Sequence, residues 1–204
     1  MRLSASMPKA ILLTQYCAPI GSAPPVPLPA ATAAPAAAPA APLLVHYRSA
    51  EQPTQHALLQ YYEQVDPPVA IADCTDVHGD AARYLCVETE DSGASAEPGR
   101  VLMIVAFCVP EQRAAEVEQW YRQEHGPLLL RAPGWLRMRR YRPISSSGGP
   151  RWTHLALHEL RSLAVLDSHE RALARSTPWR ALLAREPWFE QAGRWVYERV
   201  GGDV

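Results

Sequence analysis

Two histidines stand four positions apart in a segment, residues 152–160, that alternates polar and apolar side chains. Because successive strand residues point to opposite faces, Leu155 and Leu157 share one face, and His154 and His158 share the other with Trp152 and Ala156. Imidazole is the side chain best suited to moving protons near neutral pH. The pattern therefore indicates either a histidine-lined cavity or an exposed polar face, and the sequence leaves both open.

A third histidine, His125, ends the apolar face of a helix predicted over residues 111–124. Val117, Tyr121 and His125 are four apart and so share that face. Gly126 can adopt the left-handed conformation that closes a helix, and Pro127 cannot continue one. We therefore expect the imidazole at a helix C terminus, where the backbone carbonyls favour its charged form. A purely structural side chain bonded to those carbonyls is the competing interpretation.

Aromatic residues accompany the histidines and could bind a flat ligand. Tryptophan supplies apolar area at little entropic cost, and a tyrosine hydroxyl can donate a hydrogen bond. The candidate substrate-binding residues are Trp120, Tyr121, Trp135, Tyr141, Trp152 and Tyr197. Trp120 and Tyr121 could instead be core anchors.

Charge and ligand counts argue against two other classes of site. The formal net charge is −1, whereas nucleic-acid-binding proteins concentrate positive charge, so no nucleic-acid partner is expected. We interpret the local basic run as solvated arginines on an outer strand face: Arg137, Arg139, Arg140 and Arg142. We expect no metal, because two histidines on a strand need a third ligand and no carboxylate or cysteine stands at a sequence spacing typical of one.

The cysteines and the hydropathy pattern suggest a cytoplasmic protein. Cys17, Cys74, Cys86 and Cys108 lack the paired spacing of a zinc site and are predicted to be reduced core residues. No run is long and apolar enough to span a bilayer, and no export signal is convincing at the start of the chain, so no membrane association is expected.

The pattern of elements predicts an α+β fold with an internal repeat. Residues 1–20 form an N-terminal segment with a strand at 10–17, and residues 21–42 form an Ala/Pro-rich flexible insertion. A degenerate half follows at 43–92, then a linker at 93–99 and a complete ferredoxin-like domain at 100–204. The first half is predicted as strand 43–48, helix 53–64, strand 69–77, a turn at 78–80 and strand 83–89.

The second half repeats this order and extends it. Its predicted elements are strand 101–109, helix 111–124, a Pro133-Gly134 turn, strand 135–142, a hairpin loop at 145–150, strand 152–160, helix 163–175, a short helix opened by Thr177 and Pro178, and strand 194–200. This is a βαββαβ unit. Tyr61-Tyr62 would then correspond to Trp120-Tyr121. The first half would lack its second helix and last strand, unless residues 10–17 supply that strand.

Several short motifs carry a resemblance to a known superfamily. They are residues 120–127 (WYRQEHGP), 133–135 (PGW), 139–142 (RRYR), 155–160 (LALHEL), 176–180 (STPWR) and 195–198 (WVYE). Together they span about half of the chain, and this half resembles the dimeric α/β-barrel superfamily, more narrowly the tandem EthD-like proteins. The resemblance implies two ferredoxin-like sheets paired into a barrel, tandem or pseudodimeric, with a hollow between them. The partner sheet is either the other half of the chain or another subunit of a homodimer.

Relatives in that superfamily include cofactor-free polyketide cyclases, decarboxylases, quinone-forming monooxygenases, lactone isomerases and haem enzymes, with reactive groups lining the barrel. The first half departs from the pattern, because Gln64 and Val65 follow its tyrosine pair where Glu-His is expected. Of the two copies, only the second, through His125, keeps the histidine.

The combined prediction is a small enzyme of secondary metabolism that needs no cofactor. It would cyclise, isomerise or decarboxylate an aromatic or polyketide-like intermediate, with His125 as general acid or base and His158 or His154 as second proton carrier. The alternatives are a cofactor-free or haem-linked monooxygenase and a non-catalytic binding or assembly module.

Overall fold

Eight antiparallel strands close into a barrel within this single chain. The structure, a computed structural model, describes residues 9–18, 43–62, 81–93 and 99–201. The strands are β1 (Ala10–Cys17), β2 (Leu43–Ser49), β3 (Gln55–Tyr62), β4 (Ala82–Gly93), β5 (Val101–Phe107), β6 (Trp135–Ser147), β7 (His154–Leu160) and β8 (Gly193–Arg199). Around the barrel they follow the order β1-β3-β2-β8-β5-β7-β6-β4.

The helices described belong to the second half of the chain. They are α1 (Glu111–Trp120), a π-helical turn (Tyr121–His125), α2 (Gly126–Leu129), a 3-10 turn (Leu163–Asp167), α3 (His169–Arg175), α4 (Pro178–Leu183) and α5 (Pro187–Glu190). Thr177 caps α4 through its side chain, which accepts a hydrogen bond from the Arg180 N–H, as its position before Pro178 predicts.

The two halves of the barrel have the same strand order. The first half runs β4-β1-β3-β2 and the second runs β8-β5-β7-β6, so each is a four-stranded sheet of ferredoxin-like topology. Pairing of β2 with β8 and of β4 with β6 joins the two sheets. The barrel is therefore complete without a second subunit. The predicted alternative that residues 10–17 supply the missing strand of the first half is confirmed, although they form its first strand, between β3 and β4, and not its last.

The predicted helix at 53–64 is wrong. Gln55–Tyr62 forms β3, which pairs with β1 on one side and β2 on the other. Pairing on both edges overrides the helix propensity of this short apolar run. Tyr61-Tyr62 consequently ends a strand and does not correspond to Trp120-Tyr121. The predicted strand at 69–77, the turn at 78–80, the insertion at 21–42 and nearly all of the linker at 93–99 lie outside the described residues, and the domain boundaries remain predictions.

Large side chains fill the barrel interior, where the sequence had predicted a hollow. Its buried members come from both halves: Ile11, Leu13, Val45, Tyr47, Ala57, Leu59, Tyr84, Cys86, Leu102, Ile104, Ala106, Tyr141, Leu155, Leu157 and Tyr197. Among them lies a buried ion pair between Arg139 and Glu159, and the Arg139 guanidinium also donates to the Tyr61 hydroxyl at 3.0 Å. The inward face of β7 thus carries Leu155, Leu157 and Glu159.

The outer face of the second sheet packs against the helices. β5 is covered on both sides as predicted, since Leu102 and Ile104 point inward while Val101 and Phe107 contact the helical layer. Pro133-Gly134 forms the predicted turn, with Gly134 at φ 96°. β6 is longer than predicted and continues to Ser147, where it pairs with β4.

Two residue classes differ from expectation. Arg139 and Arg140 are buried and paired with carboxylates, so the interpretation of the basic run as solvated arginines is wrong for both. Among the cysteines, Cys86 is a free core residue, whereas Cys17 and Cys108 are free but exposed, and Cys74 lies outside the described residues. None of the described helices is long and apolar enough to cross a membrane.

Candidate functional site

The helix that carries His125 does not end there. α1 widens into the π-helical turn, in which the Gly126 N–H bonds to the Tyr121 carbonyl, and then continues as α2. Gly126 has an ordinary helical φ of −61°, so the predicted left-handed cap is wrong. Glycine is required here for a different reason: a Cβ would collide with the Met138 side chain and lie 2.7 Å from the Tyr121 carbonyl oxygen.

This continuation changes the protonation of His125. Its Nδ1 lies 3.3 Å from the carbonyl oxygen of Ala174 in α3, and its ring stacks on Trp120 with centroids 4.3 Å apart. Burial lowers the pKa of His125 to about 4, opposed by the Ala174 carbonyl and reinforced by Arg180, so the expected charged form is not favoured. Because a carbonyl only accepts, the neutral ring carries its proton on Nδ1 and keeps a lone pair on Nε2.

His158 lies deeper, on the outer face of β7. It is fully buried, meets the Trp135 ring edge-on at 5.3 Å, and neither of its ring nitrogens has a hydrogen-bond partner among the described residues. Burial, followed by the nearby His125 and Arg171, lowers its pKa to about 3. Burying a neutral imidazole whose two nitrogens lack hydrogen-bond partners destabilises the fold unless water or a ligand supplies those partners.

His125 and His158 line one pocket between the second sheet and the helices. Its volume is about 610 Å³, which is in the range of small-molecule sites. The aromatic and apolar wall comprises Met103, Val105, Phe107, Trp120, Tyr121, Leu129, Trp135, Ala184 and Phe189. Three predicted substrate-binding residues, Trp120, Tyr121 and Trp135, are therefore brought together with two of the predicted catalytic histidines.

Four arginines complete the lining and are called the pocket arginines below: Arg171, Arg175, Arg180 and Arg194. Arg171 and Arg175 belong to α3, Arg180 to α4 and Arg194 to β8. Sequence reasoning missed them, although Arg171 and Arg175 are four apart and hence on one face of a predicted helix. What the sequence lacked was the placement of α3 and α4 over the sheet.

His154 does not join this site. It lines a much smaller cleft under α1, where its Nε2 lies 3.6 Å from a Glu118 oxygen and its Nδ1 lies 2.9 Å from the Thr153 hydroxyl. Glu118 in turn pairs with the buried Arg140, which also pairs with Glu90. Burial lowers the pKa of His154, while Glu118 opposes that shift. Its contacts are those of a packed ion-pair network.

The remaining predicted aromatics also lie elsewhere. Tyr141 and Tyr197 point into the barrel, where they bond to Glu88 at 3.4 Å and Gln15 at 2.8 Å. Trp152 precedes β7 and packs against the barrel core beside Trp195, so it does not share the face of His158. The alternation along β7 was predicted correctly, but the histidine face points to the helices and not to the space between the two sheets.

One carboxylate connects the helices around the pocket. Glu124 Oε1 accepts from the Trp120 indole N–H at 3.2 Å and from the Thr177 hydroxyl at 2.6 Å. Thr177 also caps α4, the helix of Arg180. Glu124 therefore fixes α4 relative to the π-helical turn and positions Arg180 near His125.

Comparisons with known proteins support the fold. No family model matches the chain, and no curated protein matches it. Three solved structures match over nearly their whole length: an anthrone oxidase-like protein (TM-score 0.61, 9% identity, 98% of this chain and 94% of that one), a ferredoxin-fold protein from Listeria monocytogenes described as related to antibiotic biosynthesis monooxygenases (0.53, 9%, 96% and 96%), and a monooxygenase-like protein from Listeria innocua (0.52, 9%, 97% and 96%).

At such low identity these structures establish the fold alone. The ferredoxin fold named for the Listeria monocytogenes protein agrees with the strand order of each half of this barrel. The chain therefore has the ferredoxin-like α/β-barrel fold, with both sheets of the barrel supplied by one polypeptide.

Proposed function

We propose that the chain is a small cofactor-independent enzyme that removes a proton from an aromatic or polyketide-like molecule bound in the helix–sheet pocket. The observation that carries this proposal is the pairing of His125 Nδ1 with the Ala174 carbonyl, which leaves the Nε2 lone pair as a base. Because the pKa of His125 is about 4, the base is unprotonated at neutral pH.

His158 is the second member of the proposed machinery. Its unpaired nitrogens can donate to and accept from a substrate oxygen, which would stabilise the anion left after proton removal. The surrounding aromatic wall excludes water and strengthens that hydrogen bond. In this proposal His154 has no catalytic part, because its contacts are to Thr153 and Glu118 outside the pocket.

Oxygenation is the fate of the anion that we favour over cyclisation, isomerisation or decarboxylation. The solved structures of like fold include an anthrone oxidase-like and a monooxygenase-like protein, which supports this choice. An activated ring CH₂ that loses a proton can pass electrons to O₂. In the overall balance CH₂ and O₂ give C=O and H₂O, with one oxygen atom in each product.

The wider assignment belongs to the same proposal. An EthD-like relationship, a role in secondary metabolism and a homodimer remain proposals that follow from the sequence motifs, and a cytoplasmic location remains one that follows from the cysteines and the hydropathy pattern. The haem-linked alternative predicts a Soret absorption band in the purified protein.

The test uses 1,8-dihydroxyanthrone as probe. Under air, quinone formation and O₂ uptake are followed after subtraction of the enzyme-free rate, and under argon in D₂O the exchange of the ring CH₂ protons is followed by NMR. We expect His125→Gln to lower both rates by about 10²–10⁴-fold. His169→Gln, a change at an exposed histidine on α3 outside the pocket, is the matched control.

The outcomes separate the alternatives. Loss of exchange in His125→Gln but not in His169→Gln supports proton removal by His125. Exchange of the ring CH₂ protons without O₂ uptake would exclude oxygenation and would favour an isomerase or a cyclase. Equal rates in both variants and in the enzyme-free solution would leave the non-catalytic binding module as the better description.

A further inference from the structure

The pocket arginines come from three separate elements yet lie around one cavity. α3 contributes Arg171 and Arg175, the next helix contributes Arg180, and β8 contributes Arg194. The lining includes a single carboxylate, Glu190, so the formal charge of these groups is +4 − 1 = +3. A chain with a net charge of −1 has thus concentrated positive charge at one wall of this pocket.

Several arginines outside the pocket have carboxylate partners. Arg137 pairs with Asp91, Arg139 with Glu159, and Arg140 with Glu90 and Glu118. In contrast, none of the pocket arginines forms an ion pair within the described ranges. The pocket arginines thus form a cluster of guanidinium charges without a paired carboxylate in the described chain.

The guanidinium groups are nevertheless held in place. Arg180 donates to the Arg175 carbonyl at 3.0 Å, and Arg194 donates to the carbonyls of Phe189 and Ala192, each at 3.2 Å. Both groups also lie over the Phe189 ring, at 5.4 and 5.8 Å from its centroid. Because a guanidinium has five N–H donors, each keeps several for a ligand. Such preorganised donors suit an oxyanion.

The four charges also act on one another and on the candidate base. Burial and then Arg175 lower the pKa of both Arg171 and Arg180, with Arg194 adding to the effect on Arg180. Arg180 also contributes to the low pKa of His125. A bound anion would relieve this repulsion, so the pocket gains electrostatic stabilisation only when such a ligand is present.

We propose that the substrate of this pocket is an aromatic anion whose carboxylate or phenolate oxygen lies against the pocket arginines while its rings contact the aromatic wall beside His125 and His158. This inference rests on the proposed function, since it names the substrate class of the same site. It adds a binding role for the pocket arginines: they hold the charged end of the ring system, so that its rings lie beside the base.

The experiment compares two probes of nearly equal shape, 2-naphthoate and 2-naphthalenemethanol. Binding to the wild-type protein is followed by quenching of its tryptophan fluorescence, to which Trp120 and Trp135 of the pocket contribute, and by NMR line broadening of each probe. We expect the anion to bind about tenfold or more tightly than the alcohol. This advantage should shrink as salt rises from about 0.05 to about 0.5 M, because the arginines are partly solvated. 2-Naphthyl phosphate, a third probe, distinguishes phosphate from carboxylate recognition.

Charge-neutralising variants complete the design. Arg180→Gln and Arg194→Gln should each weaken naphthoate binding about tenfold and leave the alcohol unchanged. Arg185→Gln, at an exposed arginine just after α4 and outside the lining, should change neither. Circular dichroism checks that each variant is folded.

Equal affinity for the naphthoate and the alcohol would overturn the inference while leaving proton removal by His125 intact. Preferential binding of the phosphate over the carboxylate would overturn the assignment of a carboxylate or phenolate. If none of the three probes binds, both the proposed substrate class and the proposal that this pocket binds the substrate would be contradicted.

Discussion

The barrel interior and the helix–sheet pocket bury similar kinds of side chain but treat their polar groups differently. Inside the barrel, Arg139 meets Glu159 and Tyr61, Tyr197 meets Gln15, and Tyr141 meets Glu88. The Tyr47 hydroxyl and the Arg139 Nε are exceptions without a described partner. In the pocket, the His158 ring has no described partner, and the pocket arginines form no described ion pair although three of them donate to backbone carbonyls. Buried polar groups that have hydrogen-bond or ion-pair partners within the chain stabilise the fold, whereas those without such partners are available to bind a ligand.

The largest effect is expected from breaking the barrel network. Glu159→Leu leaves Arg139 buried without its counter-charge and also removes the acceptor of the Gly99 N–H, so the free energy of unfolding should fall by about 3–5 kcal/mol in urea denaturation. The double variant Arg139→Met/Glu159→Leu should recover most of that loss. Asp91→Asn, in the more exposed pair with Arg137, should cost only about 0.2–1 kcal/mol.

The same kind of change in the pocket should have the opposite sign. His158→Leu replaces two unpaired buried nitrogens by an apolar side chain of similar size, so the free energy of unfolding should rise by about 1–3 kcal/mol while turnover of the anthrone probe falls. Urea denaturation and the quinone assay measure the two effects. A loss of stability would show that His158 is completed by ordered water and would weaken the contrast with the barrel.

The pocket histidines should also make stability depend on pH. Their folded pKa values, about 4 for His125 and about 3 for His158, lie below the unfolded value near 6.5, so the unfolded chain binds more protons between these values. Stability should therefore be fully present above about pH 6.5 and decline as pH falls toward 4 and then 3. Each histidine contributes a slope of about 1.4 kcal/mol per pH unit in this window.

Comparing urea denaturation of the wild type with that of His125→Gln and His158→Leu at several pH values isolates this contribution. Each variant should have a shallower slope below pH 6.5, whereas His169→Gln should keep the wild-type slope. Identical slopes in all four proteins would mean that the histidines titrate near their ordinary pKa and that the pocket is wetter than its lining indicates.

The smallest effect is expected at the cap that positions Arg180. Thr177→Ala removes the cap of α4 and the link to Glu124, so it should cost about 1 kcal/mol of stability. Ser168→Ala removes the equivalent cap of α3, which has no described link to Glu124, and should cost a similar amount. The two should differ in the binding of 2-naphthoate, which only Thr177→Ala should weaken. If both variants weaken 2-naphthoate binding equally, the role of Thr177 would be only to stabilise its helix.

The second half of the fold could be predicted because its patterns are local. Alternation identified β7, apolar continuity identified β5, and Thr177-Pro178 located the start of α4. β3 was mistaken for a helix because a short apolar run has no decisive period, and its pairing with β1 and β2 is a tertiary property. The same limitation hid the completeness of the first sheet.

The site was predicted in composition but not in placement. The sequence identified His125, His158, Trp120 and Trp135, which do share a pocket, yet it grouped them with His154, Trp152 and Tyr197, which do not. Alternation assigns residues to two faces without indicating which face is inside a barrel. The pocket arginines were missed for a related reason, because their convergence depends on how α3, α4 and β8 pack together.

The π-helical turn determines what lies behind the imidazole. In a regular α-helix, residues five apart are rotated by about 140° and face different sides, so Trp120 could not support His125. The wider turn brings the fifth residue back toward the first, and the indole stacks on the imidazole with centroids 4.3 Å apart. One extra residue in a helix thus lets two side chains five apart stack as residues four apart can in a regular α-helix, and it gives the proposed base an aromatic backing.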